Sequence, residues 1–127
     1  MSMDQQIKQI IEKAKKDREV IAVALFGSYA RKEKYNDIDI CIFLKPKKHS
    51  AYALAKKRLQ YTPENEKYDV QIFQELPLYI KTAVFRDLSL IYCNDEDALY
   101  DLCFKTEQEY EHFKPIYENY LEAVMNG

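Results

Sequence analysis

The sequence predicts a single-domain α/β sandwich built from alternating helices and strands. Short apolar runs, either continuous or with the two-residue alternation of a strand, occupy residues 20–26, 38–44, 68–73 and 90–92. Segments with apolar residues at helical spacing separate these runs, and alternation of the two element types is typical of α/β folds. At 127 residues the chain has room for one domain, expected to span 1–127, with a core of its own.

Helices are predicted from amphipathic spacing and from capping and breaking residues. They cover 4–18, a short stretch between Ser28 and Asp37, 50–61 with Ser50 as N-cap, 76–86, and the chain from Asp95 onward. Pro115 lies inside the last helix and is expected to kink it or to divide it in two. The resulting order is α-β-α-β-α-β-α-β-α.

The charge balance argues against direct nucleic-acid binding as the main role of the chain. The sequence has 19 basic and 21 acidic side chains, whereas proteins that coat a polyanion usually have a basic excess. Basic runs at 45–49 and 56–58 are interpreted as solvated surface, with RNA contact as the alternative. Three cysteines without a Cys-x-x-Cys pair suit reduced thiols. No apolar run is long enough for a membrane span, so a cytoplasmic location is expected.

The first chemical signal is a Gly-Ser pair directly after the apolar run 20–26. Gly27 permits a sharp backbone turn, and Ser28 then offers a hydroxyl at the start of the next helix. Unpaired N–H groups at such a helix start stabilise anionic phosphate. Arg31 follows and either helps neutralise a triphosphate or faces solvent.

The second signal is a set of aspartates on predicted strands. Asp37 and Asp39 are two residues apart, so their carboxylates emerge on one face. Two carboxylates held that close repel each other unless a divalent cation lies between them. Asp69 would share this face if its strand is a neighbour in phase. Three convergent carboxylates can bridge two Mg²⁺ ions and support displacement at phosphorus, which indicates nucleotidyl transfer with pyrophosphate as leaving group.

These motifs together resemble the DNA polymerase β-type nucleotidyltransferase superfamily. The resemblance rests on residues 26–31, 37–40, 68–70 and 113–117, and it is greatest to the minimal nucleotidyltransferase branch. It implies a mixed sheet packed with helices. Lys32 stands where the family usually has glycine, and the connection from Ser28 to Asp37 is somewhat shorter than usual.

The resemblance also implies roles for the site residues. Asp37 and Asp39 correspond to the family's Mg²⁺ ligands, and Asp69 corresponds to the third carboxylate and general base. Gly27 and Ser28 correspond to the cradle for the triphosphate of ATP.

A partner protein is the acceptor that the resemblance implies. Members of the minimal branch are typically encoded beside a HEPN-type RNase toxin, and they act as antitoxins by adenylylating one of its tyrosines. A chain this short lacks the extra domain that holds the acceptor in larger relatives, so a hetero- or homo-oligomer would have to supply it. Two alternatives stay open: transfer to a small molecule by a homodimer, and neutralisation of a partner by binding alone.

Aromatic residues recur at helical spacing near the end of the chain. They are Tyr110, Phe113, Tyr117 and Tyr120, followed by Val124. The favoured interpretation is that this stripe packs on the domain's own sheet. The alternative is a protein-binding face, because interface cores are enriched in tyrosine.

Overall fold

The computed structural model describes residues 2–27 and 37–126, with the side chains of residues 2–4 and 117 excepted. The helix predicted between Ser28 and Asp37 lies outside the described residues. The strands are β1 (Val20–Phe26), β2 (Ile38–Leu44), β3 (Tyr68–Ile72) and β4 (Ser89–Cys93). The helices are α1 (Ser2–Lys16), α2 (Ala51–Tyr61), α3 (Leu78–Asp87) and α4 (Glu96–Asn126), with a 3-10 turn at Phe73–Glu75.

The four strands form one mixed sheet in the order β3-β2-β1-β4. Strand β1 runs antiparallel to both β2 and β4, whereas β2 and β3 are parallel. The predicted α/β class with a mixed sheet is therefore confirmed. The parallel β2–β3 pair matters most for function, because it fixes which side chains of the two strands lie side by side.

Apolar side chains on both faces of the sheet explain why its two central strands are buried. Residues 20–24 of β1 are fully buried, as expected from a continuous apolar run. On one face, the isoleucines of β2 pack with Ile10 of α1 and Leu54 of α2. On the other face, Phe43 of β2 packs with Val84 of α3, and the beginning of α4 covers the same cluster.

Strand β3 ends one residue earlier than the sequence predicts, and a group of aromatic rings lies where it ends. The prediction extended the strand to Phe73, but that residue begins the 3-10 turn. Its ring is still buried on the expected face, with its centroid 4.9 Å from Phe43 and 5.2 Å from Phe85. Burial of these rings outweighs the ladder hydrogen bonds that continuing the strand would have made.

The start of α2 follows the predicted capping. The Ser50 hydroxyl accepts a hydrogen bond of 3.0 Å from the backbone N–H of Ala53. This contact satisfies one of the free donors of the first turn and typically contributes about 1 kcal/mol.

A half-buried group of charged side chains links the α1–β1 connection to α2. Asp17 accepts hydrogen bonds from Lys57 Nζ at 2.7 Å and from the Tyr61 hydroxyl at 2.9 Å. Burial alone would raise the pKa of Asp17, but the hydrogen bonds from Lys57, the Glu19 N–H and Tyr61 outweigh it, and the pKa is lowered. Lys47 similarly pairs with Glu19 at 3.0 Å. Part of the basic runs is thus neutralised within the fold.

Helix α4 departs from the sequence-based interpretation in two ways. It continues through Pro115 to Asn126, so the chain is not divided into two helices there. Thr106 is the last buried residue, and nearly all described side chains beyond it are exposed. The interpretation that the terminal aromatic stripe packs on the domain's own sheet is therefore wrong. The physical reason is length: a 31-residue helix spans about 46 Å, whereas a seven-residue strand spans about 23 Å.

Candidate active site

Asp39 and Asp69 lie side by side on the parallel strands β2 and β3. The register pairs Asp39 directly with Asp69, and it is anchored by a 2.6 Å hydrogen bond from the Ile38 N–H to the Lys67 carbonyl. Neighbouring strands are about 4.8 Å apart, and paired residues of parallel strands point to the same face. Sequence periodicity does not tell which strands are neighbours, so the pairing of Asp39 with Asp69 is known only from the structure.

Asp37 immediately precedes β2. It lies two residues before Asp39, at a bend that leads into the strand. On the side of β2 opposite Asp39 are Ile38 and Ile40, both buried against α1 and α2. Asp39 and Asp69 therefore share the sheet face that α3 and α4 cover further along. Asp37 and Asp69 are exposed and Asp39 is half-buried, so a substrate can reach them.

Asp69 is held by a neighbour on its own strand. Gln71 Nε2 donates a hydrogen bond of 3.0 Å to Asp69 Oδ1. Because Gln71 is two residues further along β3, it projects from the same face. Sequence analysis missed this residue, although the alternation of residues 68–73 carried the signal. The hydrogen bond holds Asp69 Oδ1 in place. Because the carboxylate group is planar, the same bond also restricts the direction of the second oxygen.

Gly27 brings the backbone at the end of β1 against Asp39. Its φ of 76° lies in the left-handed region that favours glycine. A Cβ atom at this position would lie 2.5 Å from Asp39 Oδ2, which is far inside van der Waals contact. The neighbouring Phe26 pairs with Asp39 in the antiparallel register. Glycine is thus required here for two separate reasons, a conformational one and a steric one.

Two other predicted site residues cannot be placed. Ser28 and Arg31 both lie outside the described residues. Gly27, Asp37, Asp39 and Asp69 are the four that the structure does locate, and it brings them to one end of the β1–β2–β3 arrangement.

The family resemblance implies a divalent metal ion at these carboxylates. Within residues 2–27 and 37–126, no group of three or more His, Cys, Asp or Glu side chains is gathered around one point that could hold an ion. The backbone nevertheless places Asp39 beside Asp69, and carboxylates are the hard oxygen donors that Mg²⁺ prefers. Rotation about side-chain bonds can redirect an aspartate without moving its strand. The type of donor therefore fits magnesium.

Among the described helices, none is both long and apolar enough to cross a bilayer.

Comparison with known proteins agrees with this arrangement of strands and carboxylates. The family model described as "Polymerase beta, Nucleotidyltransferase" matches residues 8–97, a range that includes all four strands and all three aspartates. The chain belongs to this family, and it is a nucleotidyltransferase.

Individual proteins similar to this chain include one described as an adenylyltransferase and a chain of a toxin–antitoxin complex. A protein of Methanocaldococcus jannaschii, provisionally described as a protein adenylyltransferase, is 34% identical over 108 residues, which are 83% of this chain and 82% of the relative. The fold also matches a chain of a toxin–antitoxin crystal structure with AMP-PNP, at a TM-score of 0.71 and 17% identity, covering 95% of this chain and 97% of the other.

A further solved structure contains a tri-AMPylated HEPN toxin of Shewanella oneidensis in complex with its MNT antitoxin. One chain of it matches at a TM-score of 0.68 and 16% identity, over 95% of this chain and 94% of the other. At such identities the likeness to solved structures shows a shared fold.

Proposed function

We propose that this protein transfers AMP from ATP to a tyrosine hydroxyl of a HEPN-type RNase toxin and thereby acts as its antitoxin. The observation that carries the proposal is the register pairing of Asp39 with Asp69, with Gly27 against Asp39 and Asp37 two residues before it in the sequence. The M. jannaschii relative supports adenylyl transfer, and the fold shared with chains of toxin–antitoxin complexes supports the class of partner.

The chemistry is an in-line displacement at the α-phosphorus of ATP. The acceptor oxygen forms a bond to this phosphorus, the bond to the oxygen bridging the α- and β-phosphates breaks, and pyrophosphate leaves with its electron pair. Bound Mg²⁺ would stabilise negative charge on the phosphates and on the attacking oxygen. Asp37 and Asp39 would hold two such ions, with Asp69 as a third ligand.

Asp69 is also the proposed general base. It would accept the proton of the attacking hydroxyl, and its exposed position at the sheet edge lets an acceptor from another protein approach. Gln71 keeps one Asp69 oxygen engaged, so the second oxygen has a defined orientation towards the acceptor. Gly27 leaves the Asp39 carboxylate room to turn towards the phosphates.

Position-labelled ATP tests the reaction type. The chain is incubated with Mg²⁺, with a HEPN-type protein from the same organism, and with ATP labelled on either the α- or the γ-phosphate. Label should reach the partner from the α-position alone, and Tyr→Phe variants of the partner should map the acceptor. Transfer of γ-label would indicate a kinase instead.

The two alternatives give different results in the same assay. If the partner stays unlabelled but its RNase activity is still suppressed, the protein neutralises by binding. If no protein is labelled and a small hydroxylated compound is, the acceptor is a small molecule.

A further inference from the structure

The last 20 described residues of α4 form a helical arm with a regular apolar seam. We call residues 107–126 the distal arm. Tyr110, Phe113, Tyr117, Tyr120 and Val124 follow one another at alternating spacings of three and four residues, which is a heptad pattern. The same seam continues back to Thr106, the last residue buried in the domain. A heptad seam is the pattern that packs against another helix.

The apolar face of the distal arm is wider than a two-stranded coiled coil needs. Ile116 and Leu121 flank the seam on its two sides and are 58% and 57% exposed. Within the seam, Phe113, Tyr120 and Val124 are 42%, 66% and 61% exposed. Such side chains together expose on the order of 500 Å² of apolar surface, which approaches the half-share of a standard protein interface.

A groove beside the arm adds to this surface. It has a volume of about 720 Å³ and is lined by Tyr79 of α3 together with Tyr110, Ile116, Tyr120 and Leu121 of the arm. Because the seam is flanked by apolar residues and by this groove, it suits insertion among several helices better than pairing with a single one.

The arm gains little stability from its own sequence. Isolated helices of this length are marginal in water, and a proline inside a helix costs about 3 kcal/mol. The arm carries Pro115, and its described side chains other than half-buried Tyr110 are exposed. Contact with a partner would supply the stability that the rest of the domain does not provide.

Charge on the arm decides what kind of partner fits. Its charged residues comprise one lysine, Lys114, and five glutamates. The glutamates are Glu107, Glu109, Glu111, Glu118 and Glu122. With His112 neutral, one positive and five negative charges give a net charge of −4. An acidic arm repels nucleic acid, an anionic membrane surface and a second copy of itself.

We propose that the distal arm docks into a helical, positively bordered groove of the acceptor protein. This inference rests on the proposed function, since the acceptor there is an RNase. An RNase needs positive charge around its RNA-binding surface, because most of the affinity for nucleic acid comes from phosphate contacts. The acidic arm is attracted to such a surface, and its apolar seam then packs between the helices beneath. Docking would hold the acceptor while its hydroxyl reaches the aspartates.

The test compares a charge placed beside the seam with the same change elsewhere, and substitutions of the flanking residues Leu121 and Ile116 are called the seam variants. Leu121→Asp is measured beside Leu59→Asp, because Leu59 is an exposed leucine of α2, on the other face of the sheet. Affinity for the HEPN-type partner is measured by titration calorimetry, with thermal unfolding and ATP binding of the chain alone as folding controls. Leu121→Asp should weaken binding at least about 30-fold, as expected when a charge is buried in an apolar contact, and Leu59→Asp should leave it unchanged. Ile116→Asp is the second seam variant, used if Leu121→Asp does not fold.

The role of the acidic side chains is tested separately, by the rates of association and dissociation. Removing acidic charge by Glu107→Gln with Glu109→Gln should slow association several-fold with little change in dissociation, because the charges act mainly by steering. Sedimentation of the chain alone should show a monomer. A dimer that Leu121→Asp disrupts would identify a second copy as the occupant and overturn the proposal.

Failure of this inference can be told apart from failure of the proposed function. If the wild type adenylylates the partner and the seam variants bind it as tightly as the wild type does, the docking surface is refuted while the function stands. If the wild type binds the partner without modifying it and the seam variants do not bind, the docking surface stands while the function is refuted. If the wild type does neither, both are refuted.

Discussion

Replacing Gly27 by alanine should disturb the Asp39 carboxylate directly. The new Cβ would lie 2.5 Å from Asp39 Oδ2, and φ at this position is 76°. A left-handed backbone costs a residue with a side chain about 1–2 kcal/mol. Forcing Asp39 off its rotamer costs about 1 kcal/mol more. The free energy of unfolding should therefore fall by about 2–3 kcal/mol, and Tm by roughly 6–12 °C. Because Asp39 is a proposed Mg²⁺ ligand, displacing its carboxylate by an ångström should lower the transfer rate at least about 100-fold.

A double-mutant cycle separates the clash from the backbone strain. In an Asp39→Ala background, the new Cβ would keep an ordinary 3.7 Å contact with the Cβ of residue 39 and lose the close one with Oδ2. Thermal unfolding should then show that Gly27→Ala costs about 1–2 kcal/mol, the strain alone. An equal cost in both backgrounds would refute the clash. Wild-type transfer by Gly27→Ala would refute the inference that Gly27 makes room for a working carboxylate.

Three further predictions concern the aspartate face and the ionic group. Asp37→Asn should lower the transfer rate at least about 1,000-fold without reducing Tm, and Asp101→Asn, an exposed control on α4, should change neither. Gln71→Leu should lower the transfer rate about fivefold with little change in the KM for ATP, because Asp69 loses one hydrogen bond; an unchanged rate would contradict a positioning role. Lys57→Met should cost about 1–2 kcal/mol at pH 7 in chemical denaturation. Folding lowers the pKa of Asp17, so the stability difference between the wild type and Lys57→Met should be present above pH 3.8, the ordinary pKa of the carboxyl group. The difference should shrink as the pH falls below that value, and a pH-independent cost would contradict the ionic mechanism.

The strands and the acidic residues were predictable because both leave periodic signals in the sequence. The alternation of 38–44 predicted the isoleucines on one side of β2, and the structure confirms that placement, whereas the shared side of Asp37 and Asp39 stays a prediction. The sequence predicted that Asp69 shares the face of Asp39 only if their strands are neighbours, because periodicity does not say which strands pair. The steric role of Gly27 was not predictable either, because it depends on the register of β1 and β2.

The C-terminal helix shows where periodicity misleads. An apolar seam predicts that a surface is buried, but it does not say against what. The favoured interpretation placed the aromatic stripe on the domain's own sheet, yet the strands are too short to reach residues beyond Thr106. The alternative interpretation, a protein-binding face, is the one that exposure and charge of the distal arm favour.

Intact-mass spectrometry of the partner tests the central claim most directly. A HEPN-type protein from the same organism is incubated with ATP, Mg²⁺ and either the wild type or the variant Asp37→Asn/Asp39→Asn. The account predicts that the partner gains one or more AMP units with the wild type, and none with the variant. No gain with any of the four nucleoside triphosphates, or an equal gain with the variant, would contradict a nucleotidyl transfer that depends on these aspartates.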